Sequence, residues 1–325
     1  MIESPPLRLV VVMPVRDDWP SALELIRRVD ELVSTRSCVV RICLIDDGSV
    51  ERYESGLQTD FLKVRAVRIL RLRRNLGHQR AIAIGLAYIQ STMACDAVLV
   101  MDSDGEDTAE GVGALLDAYL TGNRPQAIFA ERARRSESLF FRFFYALYRG
   151  THRALTGIRV RVGNFSILPF EYLNTLVAMS ELWNHYAAAV FRSRLPFSMI
   201  PIARGKRITG ASKMDFVSLV AHGLSAISVF GDVVGVRLLI ASLLGFALAG
   251  IGIVLVVAIR VFTNWAIPGW ATYATGVLAI IMIQFITIAA SFTFFVLSSR
   301  MNLGFVPLRD YSLFVDHVLD IYSHE

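Results

Sequence analysis

The sequence predicts an α/β fold, in which helices cover both faces of a mostly parallel sheet and a membrane hairpin follows near the C-terminus. Three observations predict it. Short apolar runs alternate with helical patterns through the first half of the chain. Three of these runs end in polar, acid-rich segments. Two uncharged stretches nearer the C-terminus are each long enough to cross a bilayer.

The strands are predicted from continuous apolar runs, which are typical of strands buried on both faces of a sheet. These runs are LRLVVVMPV from Leu7, VVRICLID from Val39, VRAVRILRL from Val64, DAVLVMDSD from Asp96 and QAIFAER from Gln126. Helical spacing of apolar residues predicts the elements between them, which are WPSALELIRRVDELVS from Trp19, GHQRAIAIGLAYIQST from Gly77 and AEGVGALLDAYLTG from Ala109. Because ligands bind at the carboxyl ends of parallel strands, we expect MPVRDD, LIDDGS and VMDSDGED to meet in one crevice.

The apolar excess of the chain lies in its last third. The sequence is 54% hydrophobic with a mean hydropathy of +0.50, which is high for an ordinary soluble enzyme. Leu238 to Ile259 carries no charge and lies between Arg237 and Arg260; at about 1.5 Å per residue it spans roughly 33 Å, enough for a bilayer core. A second uncharged run ends before Arg300, and the connecting loop contains interface-type aromatic residues and a turn, which are Trp265, Trp270, Tyr273 and Pro268-Gly269.

The domain organisation follows from these elements. We expect a catalytic domain over residues 1–213, an amphipathic juxtamembrane helix over 214–236, two transmembrane helices over 238–259 and 272–299 within a segment 237–300, and a tail over 301–325. The first apolar run is too short for a signal peptide, so the catalytic domain and both termini are expected in the cytosol. The connecting loop has no Lys or Arg beyond Arg260, which places it outside. The chain is therefore expected to be a multi-pass protein of the inner (plasma) membrane.

The net charge indicates the kind of partner that the protein binds, and the cysteine content indicates its redox compartment. A net charge of +5 and a pI near 9.3 suit an anionic membrane surface or phosphorylated ligands, and no nucleic-acid partner is expected. The three cysteines, Cys38, Cys43 and Cys95, have no metal-ligand spacing and are predicted to be core residues in a reducing compartment.

The run DSDGED places four acids within six positions, and these are Asp102, Asp104, Glu106 and Asp107. Carboxylates this close repel one another unless water or a cation relieves the repulsion. An acid-rich solvated turn is one interpretation. The other is that Asp102 and Asp104 hold Mg²⁺ or Mn²⁺ against a diphosphate, because these cations prefer oxygen ligands. The preceding DDGS segment favours the second interpretation, because an Asp at the end of the second strand can bind ribose hydroxyls or a base edge.

With these motifs in order, the chain resembles the inverting family-2 glycosyltransferases of the GT-A fold, in the branch of polyprenyl-phosphate glycosyltransferases. The resemblance rests on DDGS, on Asn75-x-Gly77 with Ala81 and Gly85, on Asp102-Ser103-Asp104, on Asp107 with Glu110, and on RITGASKM, which matches an R-x-x-G-x-S-K element from Arg207 to Lys213. It implies a nucleotide-diphosphate sugar as donor, polyprenyl phosphate as acceptor, a β-linked product, Mg²⁺ or Mn²⁺ as cofactor, and a homo-oligomer as one further arrangement.

The resemblance also implies roles for individual residues. The catalytic candidates are Asp102, Asp104, Asp107, Arg207 and Lys213, with Asp102 and Asp104 as metal ligands. The candidates for binding the nucleotide-sugar are Pro14, Val15, Asp17, Asp18, Asp47, Asn75, Gly77, Arg80, Asp102 and Ser103. The candidates for the acceptor phosphate are Arg132, Arg135, Asn164 and Ser212.

The sequence departs from the family pattern at three places, one of which is Glu106, where Gln is usual. Arg16, Asp17 and Asp18 stand where an aromatic residue, Asn and Glu are usual, and Asn164 replaces a common Asp. A sugar hydroxyl acceptor needs a general base, whereas a phosphate monoester loses its second proton near pH 6 and is already a nucleophile. The missing acid therefore favours a lipid-phosphate acceptor, although Asp107 remains an alternative base.

Other interpretations stay open. Residues 138–155 carry Phe, Tyr and Arg at helical spacing, which fits a helix resting on the bilayer or one packed in the core. A processive polysaccharide synthase is disfavoured, because neither a Q-x-x-R-W element nor further membrane helices are present. A transferase acting on a lipid-linked glycan, and a catalytically silent membrane protein that binds nucleotide-sugars, remain as alternatives.

Overall fold

The computed structural model describes residues 5–57, 60–122, 125–132, 150–157, 162–209, 216–263, 265, 267–301 and 304–324. The chain divides into two compact units. We call Met1–Ser138, Val160–Val229 and Gly304–Glu325 the sheet unit, and Leu139–Arg159 with Phe230–Leu303 the hairpin unit.

The sheet unit is built on an eight-stranded sheet. Its strands are β1 (Leu7–Val15), β2 (Cys38–Asp46), β3 (Val64–Leu72), β4 (Ala97–Val100), β5 (Ala127–Arg132), β6 (Val162–Pro169), β7 (Phe197–Ile202) and β8 (Val315–Ser323). They lie in the order β7-β5-β6-β4-β1-β2-β3-β8. The central strands β4, β1, β2 and β3 are mutually parallel, and β7 is parallel to β5. The strands β6 and β8 run antiparallel to their neighbours. The predicted α/β class is confirmed.

The alternation of side chains along β1 explains why helices cover both faces. Every residue from Leu9 to Val15 is buried. Val10 and Val12 pack in a cluster with α2 (His78–Thr92), whereas Leu9 and Val11 pack on the other face. That second face is covered by α1 (Trp19–Val33) and α3 (Ala109–Thr121). Successive residues of a strand point to opposite faces, so a continuous apolar run requires two covered faces.

A buried acid on α1 fixes the start of β3. The carboxylate of Asp30 accepts hydrogen bonds of 2.7–2.8 Å from the backbone N–H groups of Leu62, Lys63 and Val64. Asp30 is only 4% exposed, and these donors compensate for its burial. The bonds also place the amino end of β3 beside β2.

The sheet unit also contains shorter helices. They are Tyr172–Leu176, a 3₁₀ turn at Ser180–Trp183, Tyr186–Arg192, Phe216–Ser228, Pro307–Asp310 and a 3₁₀ turn at Tyr311–Leu313. Tyr186 is fully buried against Phe129 of β5, with the ring centroids 6.1 Å apart. This contact holds the helix Tyr186–Arg192 over the face that α2 also covers.

The last part of the chain returns to the sheet, which the sequence had not predicted. β8 pairs with β3 over Ala66 to Leu72, and Arg68 forms an ion pair with Asp320. Tyr322 packs edge-on against Phe61, with the ring centroids 5.0 Å apart. The segment expected as a tail over 301–325 therefore contains an edge strand of the main sheet.

The hairpin unit contains two helices of membrane length, Gly231–Phe262 and Trp270–Met301. Both helices are long and apolar enough to cross a bilayer. In their most apolar stretches, only 11% of the residues of the first helix and 6% of those of the second are buried. Small residues of the first helix lie against large residues of the second. A Cβ at Gly245 would come within 2.4 Å of Phe285, and one at Gly235 within 2.4 Å of Val296. Glycine at these points lets the helices approach closely, as in membrane helix pairs.

Part of the predicted interfacial helix lies outside the described residues. Within it, residues 150–156 are helical, and the side chain of Arg237 donates a 2.8 Å hydrogen bond to the carbonyl of Ala154. Residues 214 and 215 of the predicted juxtamembrane helix also lie outside the described ranges, and the helix begins at Phe216.

Candidate functional site

Two loops at the carboxyl ends of β2 and β3 touch through a glycine. Gly48, in the DDGS segment, has φ +67°, and a Cβ there would lie 2.5 Å from the backbone nitrogen of Asn75. No side chain fits in that space, and the left-handed conformation itself favours glycine. The close approach joins the predicted nucleoside segment to the Asn-x-Gly turn before α2.

Asp47 ties this junction together. Its two carboxylate oxygens accept hydrogen bonds from the backbone N–H groups of Leu76 at 2.7 Å and Gly77 at 2.9 Å. Burial raises the pKa of Asp47, and the two backbone donors oppose that rise. Asn75 Oδ1 also accepts from Gly77 N–H at 2.9 Å, and Gly77 with φ +93° precedes the first turn of α2. The structure thus brings Asp47, Asn75 and Gly77 together at the carboxyl ends of β2 and β3.

The segment after β1 is held to DDGS in the same way. Asp17 Oδ1 accepts from the backbone N–H of Val50 at 2.7 Å and of Glu51 at 3.1 Å, and the N–H of Asp17 donates to Ser49 Oγ at 3.0 Å. Asp17 has φ +50°, a conformation that Asp adopts more readily than most residues. These contacts join Asp17, which departs from the family pattern, to the DDGS segment and the two residues after it.

Pro14, Val15 and Ser103 are buried beneath the crevice. The backbone N–H of Asp47 donates to the carbonyl of Val15 at 2.9 Å, and Ser103 Oγ donates to the carbonyl of Pro14 at 2.8 Å. The three ends of β1, β2 and β4 are thereby linked. The middle residue of Asp102-Ser103-Asp104 turns inward, while the acids on each side remain partly exposed.

Residues 102–108, which follow β4 and which we call the acid loop, are organised by hydrogen bonds between their own backbone N–H groups and carboxylates. The N–H of Asp102 donates to Asp107 Oδ2 at 2.9 Å, and the N–H of Glu106 donates to Asp104 Oδ1 at 2.9 Å. Gly105 between them has φ +85°. Burial raises the pKa of Asp104, repulsion from Asp102 adds to the rise, and Arg207 opposes it.

A second segment, residues 204–209, lies along the acid loop, and we call it the basic loop. Arg207 forms an ion pair with Asp104 Oδ2 at 2.9 Å, and Arg204 forms one with Glu106. The backbone N–H of Ile208 donates to the carbonyl of Asp104 at 3.0 Å, and that of Gly205 donates to the carbonyl of Glu106 at 2.9 Å. Two ion pairs and two backbone hydrogen bonds therefore join two loops that are about a hundred residues apart.

The end of the basic loop reaches α1. Thr209 Oγ1 donates to Asp18 Oδ1 at 2.9 Å and lies 2.5 Å from Ser21 Oγ. Asp18 is thus brought to the basic loop, and Asp17 to DDGS.

Sequence reasoning missed His78, which lies between the acid cluster and Asn164. His78 Nε2 is 3.0 Å from Asp102 Oδ1 and 2.9 Å from Asn164 Nδ2. Desolvation lowers the pKa of His78, but Asp102, with Asp107 and Asp47, outweighs it, and the pKa is raised. Because one ring nitrogen cannot donate to Asp102 and accept from Asn164 at once, its proton decides which contact forms. The signal in the sequence that could have identified His78 is its position directly after the Asn-x-Gly turn.

Asn164 itself is 8% exposed and held by α2. Gln79 Nε2 donates to Asn164 Oδ1 at 3.1 Å, and Gln79 Oε1 accepts from the backbone N–H of Tyr186 at 2.7 Å. The amide oxygen of Asn164 is therefore held by Gln79, and its nitrogen is bonded to His78 only when Nε2 of that ring carries no proton. Arg80, one residue farther along α2, lies with its guanidinium 5.1 Å from the ring centre of Trp183.

Four predicted residues receive no side-chain description. Arg135, Ser212 and Lys213 lie outside the described residues, and Arg132 is described only by its backbone at the end of β5. The roles of these four residues therefore remain predictions from the sequence.

Two carboxylates at the acid loop fit a divalent cation that also binds a diphosphate. Among the described residues, no group of three or more His, Cys, Asp or Glu side chains is arranged to hold a metal. Mg²⁺ usually takes one or two protein carboxylates and completes its shell with phosphate oxygens and water. Asp102 and Asp104 match that pattern in number and chemistry, and a cation there would oppose the burial and the mutual repulsion that raise the pKa of Asp104.

The mostly parallel sheet and the loops at its carboxyl edge are those of the GT-A fold, and the comparison with known families agrees. Residues 10–177, more than half of the chain, match Glycosyl transferase family 2. The chain belongs to that family. The predicted family is confirmed.

Relatives extend over most of the chain. The undecaprenyl-phosphate 4-deoxy-4-formamido-L-arabinose transferase of Klebsiella pneumoniae (strain 342) is 26% identical over 312 residues, which cover 90% of this chain and 87% of the relative. The glycosyltransferase YkcC of Bacillus subtilis (strain 168) is 24% identical over 272 residues, covering 81% and 80%. This protein is thus a glycosyltransferase with polyprenyl-phosphate sugar transferases among its homologues.

Solved structures show the same fold. Glucosyl-3-phosphoglycerate synthase from Mycobacterium tuberculosis, in complex with Mn²⁺, UDP-glucose and phosphoglyceric acid, superposes with a TM-score of 0.50 at 16% identity. The match covers 70% of this chain and 80% of that one. At this identity the likeness concerns the fold alone.

Proposed function

We propose that the protein transfers a sugar from a nucleotide-diphosphate donor to polyprenyl phosphate, with inversion at the anomeric carbon. One observation carries the proposal. A family-2 crevice, in which Asp102 and Asp104 lie beside Arg207, is joined in one chain to two helices of membrane length. The acceptor that such a chain meets at a membrane surface is a lipid phosphate. The relatives named as undecaprenyl-phosphate transferases support this choice.

On the donor side, the residues after β1, β2 and β3 bind the nucleoside, and the acid loop receives the diphosphate. A divalent cation, Mg²⁺ or Mn²⁺, supplies positive charge against the leaving diphosphate when it is bound there. Asp102 and Asp104 are its protein ligands. Arg207, and Lys213 in the neighbouring segment, neutralise further phosphate charge.

On the acceptor side, no general base is required. A phosphate monoester is largely a dianion near neutral pH, because its second pKa is about 6. Its oxygen attacks the anomeric carbon, the new carbon–oxygen bond forms, and the bond to the diphosphate breaks with its electron pair on the leaving oxygen. The buried amide of Asn164 and the guanidinium groups of Arg132 and Arg135 orient the phosphate. Direct displacement converts an α-linked donor into a β-linked product.

The hairpin unit anchors the protein in the inner membrane, and the sheet unit, which carries the candidate site, lies in the cytosol. Phe230 and Leu303, at the two ends of the hairpin segment, are joined through the chain to the same sheet unit. Two crossings return the chain to the side from which it left. Arg237 and Arg300 lie near the ends joined to the sheet unit, whereas residues 263–269 between the helices contain no Lys or Arg. This distribution supports a cytosolic sheet unit.

The test is transfer by the full-length protein in lipid nanodiscs. Undecaprenyl phosphate is supplied with a panel of radiolabelled UDP-, GDP- and dTDP-sugars, with Mn²⁺, with Mg²⁺ or with EDTA. We expect one donor to give a labelled lipid that EDTA abolishes and that is β-linked by its proton coupling constant. A lipid-linked glycan serves as the competing acceptor.

Two results would contradict the proposal. Transfer to the lipid-linked glycan but not to undecaprenyl phosphate would assign a different acceptor. Binding of a nucleotide-sugar without transfer to either acceptor would support a silent binding protein instead.

A further inference from the structure

Glycines bring the acid loop and the basic loop into backbone contact. A Cβ at Gly105 would lie 2.5 Å from Cγ1 of Ile208. A Cβ at Gly205 would lie 2.5 Å from Cγ2 of Thr108 and 2.7 Å from the carbonyl oxygen of Gly105. These distances are shorter than ordinary van der Waals contact. A larger residue at Gly205 would meet the backbone of the acid loop and force the loops apart, whereas one at Gly105 would displace the side chain of Ile208. The basic loop is therefore built to lie against the acid loop.

The two ion pairs between these loops differ in what their acids can do. Asp104 is a proposed metal ligand, so its partner Arg207 shares that carboxylate with any bound cation. Glu106 is no such ligand, and its partner Arg204 lies three residues before Arg207. The side chains of Glu106 and Arg204 are 18% and 22% exposed, which shields their contact from solvent more than that of a surface pair.

We propose that Glu106 and Arg204 are positioning residues for Arg207. Their ion pair, with the hydrogen bond from Gly205 N–H to the carbonyl of Glu106, anchors the start of the basic loop whether or not Asp104 binds a cation. Arg207 then remains beside the acid loop and meets the donor diphosphate at a fixed place. The inference rests on the proposed function, because it concerns how that site holds a nucleoside diphosphate.

The residue type at position 106 also supports the ion pair with Arg204. Position 106 carries Glu where the family resemblance has Gln, and Glu is the residue that pairs with an arginine. A charge-assisted bond is roughly twice as strong as a neutral one. Glu106 and Arg204 are thus matched to each other in this chain.

The test measures binding rather than turnover alone. Mn²⁺ with each of UDP, GDP, dTDP, ADP and CDP is titrated calorimetrically into the full-length protein in nanodiscs, and the tightest of these is used with all variants. We expect Arg204→Gln to raise its Kd about tenfold, as loss of one charge-assisted contact implies. Glu106→Gln is expected to do the same, and the double variant to cost no more than either single change.

A cycle with Arg207 separates positioning from direct contact. In an Arg207→Gln background, Arg204→Gln is expected to leave the Kd unchanged, because its effect passes through Arg207. Arg36→Gln is the matched control: Arg36 is 23% exposed and pairs with Asp117 at 2.8 Å, away from both loops, so its loss should not alter nucleotide binding. Thermal melting of each variant tests folding, and Arg204→Lys replaces Arg204→Gln if the latter does not fold.

The outcomes are distinct. An unchanged Kd in Arg204→Gln overturns the inference, as does an equal cost in the Arg207→Gln background, which would mean that Arg204 touches the diphosphate itself. Nucleotide binding without transfer to polyprenyl phosphate would refute the proposed acceptor and leave this inference to be judged on Kd. A wild-type chain that binds none of the five diphosphates overturns both.

Discussion

Arg207 and Asp104 form an ion pair in which a guanidinium nitrogen lies 2.9 Å from Oδ2 of the carboxylate. The same carboxylate accepts the N–H of Glu106 through Oδ1. Both oxygens of Asp104 are therefore in contact with protein groups, and a cation that binds Oδ2 would compete with Arg207 for that oxygen. This competition makes the affinity for the metal alone depend on Arg207.

Arg207→Gln should tighten Mn²⁺ binding in the absence of nucleotide. The variant removes the positive partner of Asp104 and leaves the carboxylate to the cation, so we expect the Kd for Mn²⁺ to fall about threefold to tenfold. Electron paramagnetic resonance of free Mn²⁺ measures this Kd without any turnover. An unchanged or higher Kd would mean that Asp104 and Arg207 separate without cost or that the metal lies elsewhere.

Asp104→Ala should abolish sugar transfer while the protein remains folded and membrane-bound. The variant removes one of two proposed metal ligands, and we expect kcat to fall at least about a hundredfold, the usual cost of losing charge stabilisation at a leaving group. Asp117→Ala, which breaks only a surface pair with Arg36, is the control and should retain full activity. Near-normal turnover by Asp104→Ala would refute the role of the acid loop in binding the metal.

The parallel strands β1 to β4 were readily predicted, because most of their residues are apolar, whereas β6 was not predicted. LRLVVVMPV and VRAVRILRL coincide with β1 and β3 as the structure has them. β7 was missed, since FSMIPI contains a proline and is mostly half-exposed. β8 was missed because its pairing with β3 joins residues about 250 positions apart, and no local pattern records that partnership.

The candidate site was also predicted only in part. The acids and glycines were found because their spacing carries the chemistry. The contacts of His78 with Asp102 and of Gln79 with Asn164 were not found, because each joins elements separated by more than twenty residues. Such pairs depend on how helix α2 packs on the sheet, which one sequence does not reveal.

The cysteines should resist thiol reagents in the folded protein. Burial raises the pKa of Cys43 and of Cys95 to about 12, and it also raises that of Cys38. A raised pKa means that the reactive thiolate forms only as pH approaches that value, so at pH 8 roughly one Cys43 thiol in ten thousand is ionised. Ellman's reagent should detect no thiol in the native protein at pH 8 and three in guanidinium. Rapid labelling of the native protein would show that the core is open.

Gly48→Ala should destabilise the sheet unit. The added Cβ meets the backbone of Asn75 at 2.5 Å in a left-handed conformation, so we expect a loss of about 2 kcal/mol or more in the free energy of unfolding. Gly150→Ala is the control, because Gly150 is exposed and a Cβ there has no neighbour within 4 Å. Equal melting temperatures for the two variants would show that the loops after β2 and β3 move apart at little cost.

Deleting residues 315–325 should destabilise the protein far more than its exposed position suggests. The deletion removes a strand that pairs with β3 over seven positions, together with the packing of Tyr322 on Phe61, and leaves the edge of β3 unpaired. At about 0.2–1 kcal/mol for each cross-strand pair, we expect a loss of about 2–5 kcal/mol. Asp320→Ala removes only the ion pair with Arg68 and should cost less than about 1 kcal/mol. Thermal melting of the full-length protein in nanodiscs compares the two. If the deletion variant and Asp320→Ala have the same melting temperature, β8 contributes little to the stability of the sheet. If the deletion variant melts at a much lower temperature or aggregates, β8 is a structural part of the sheet.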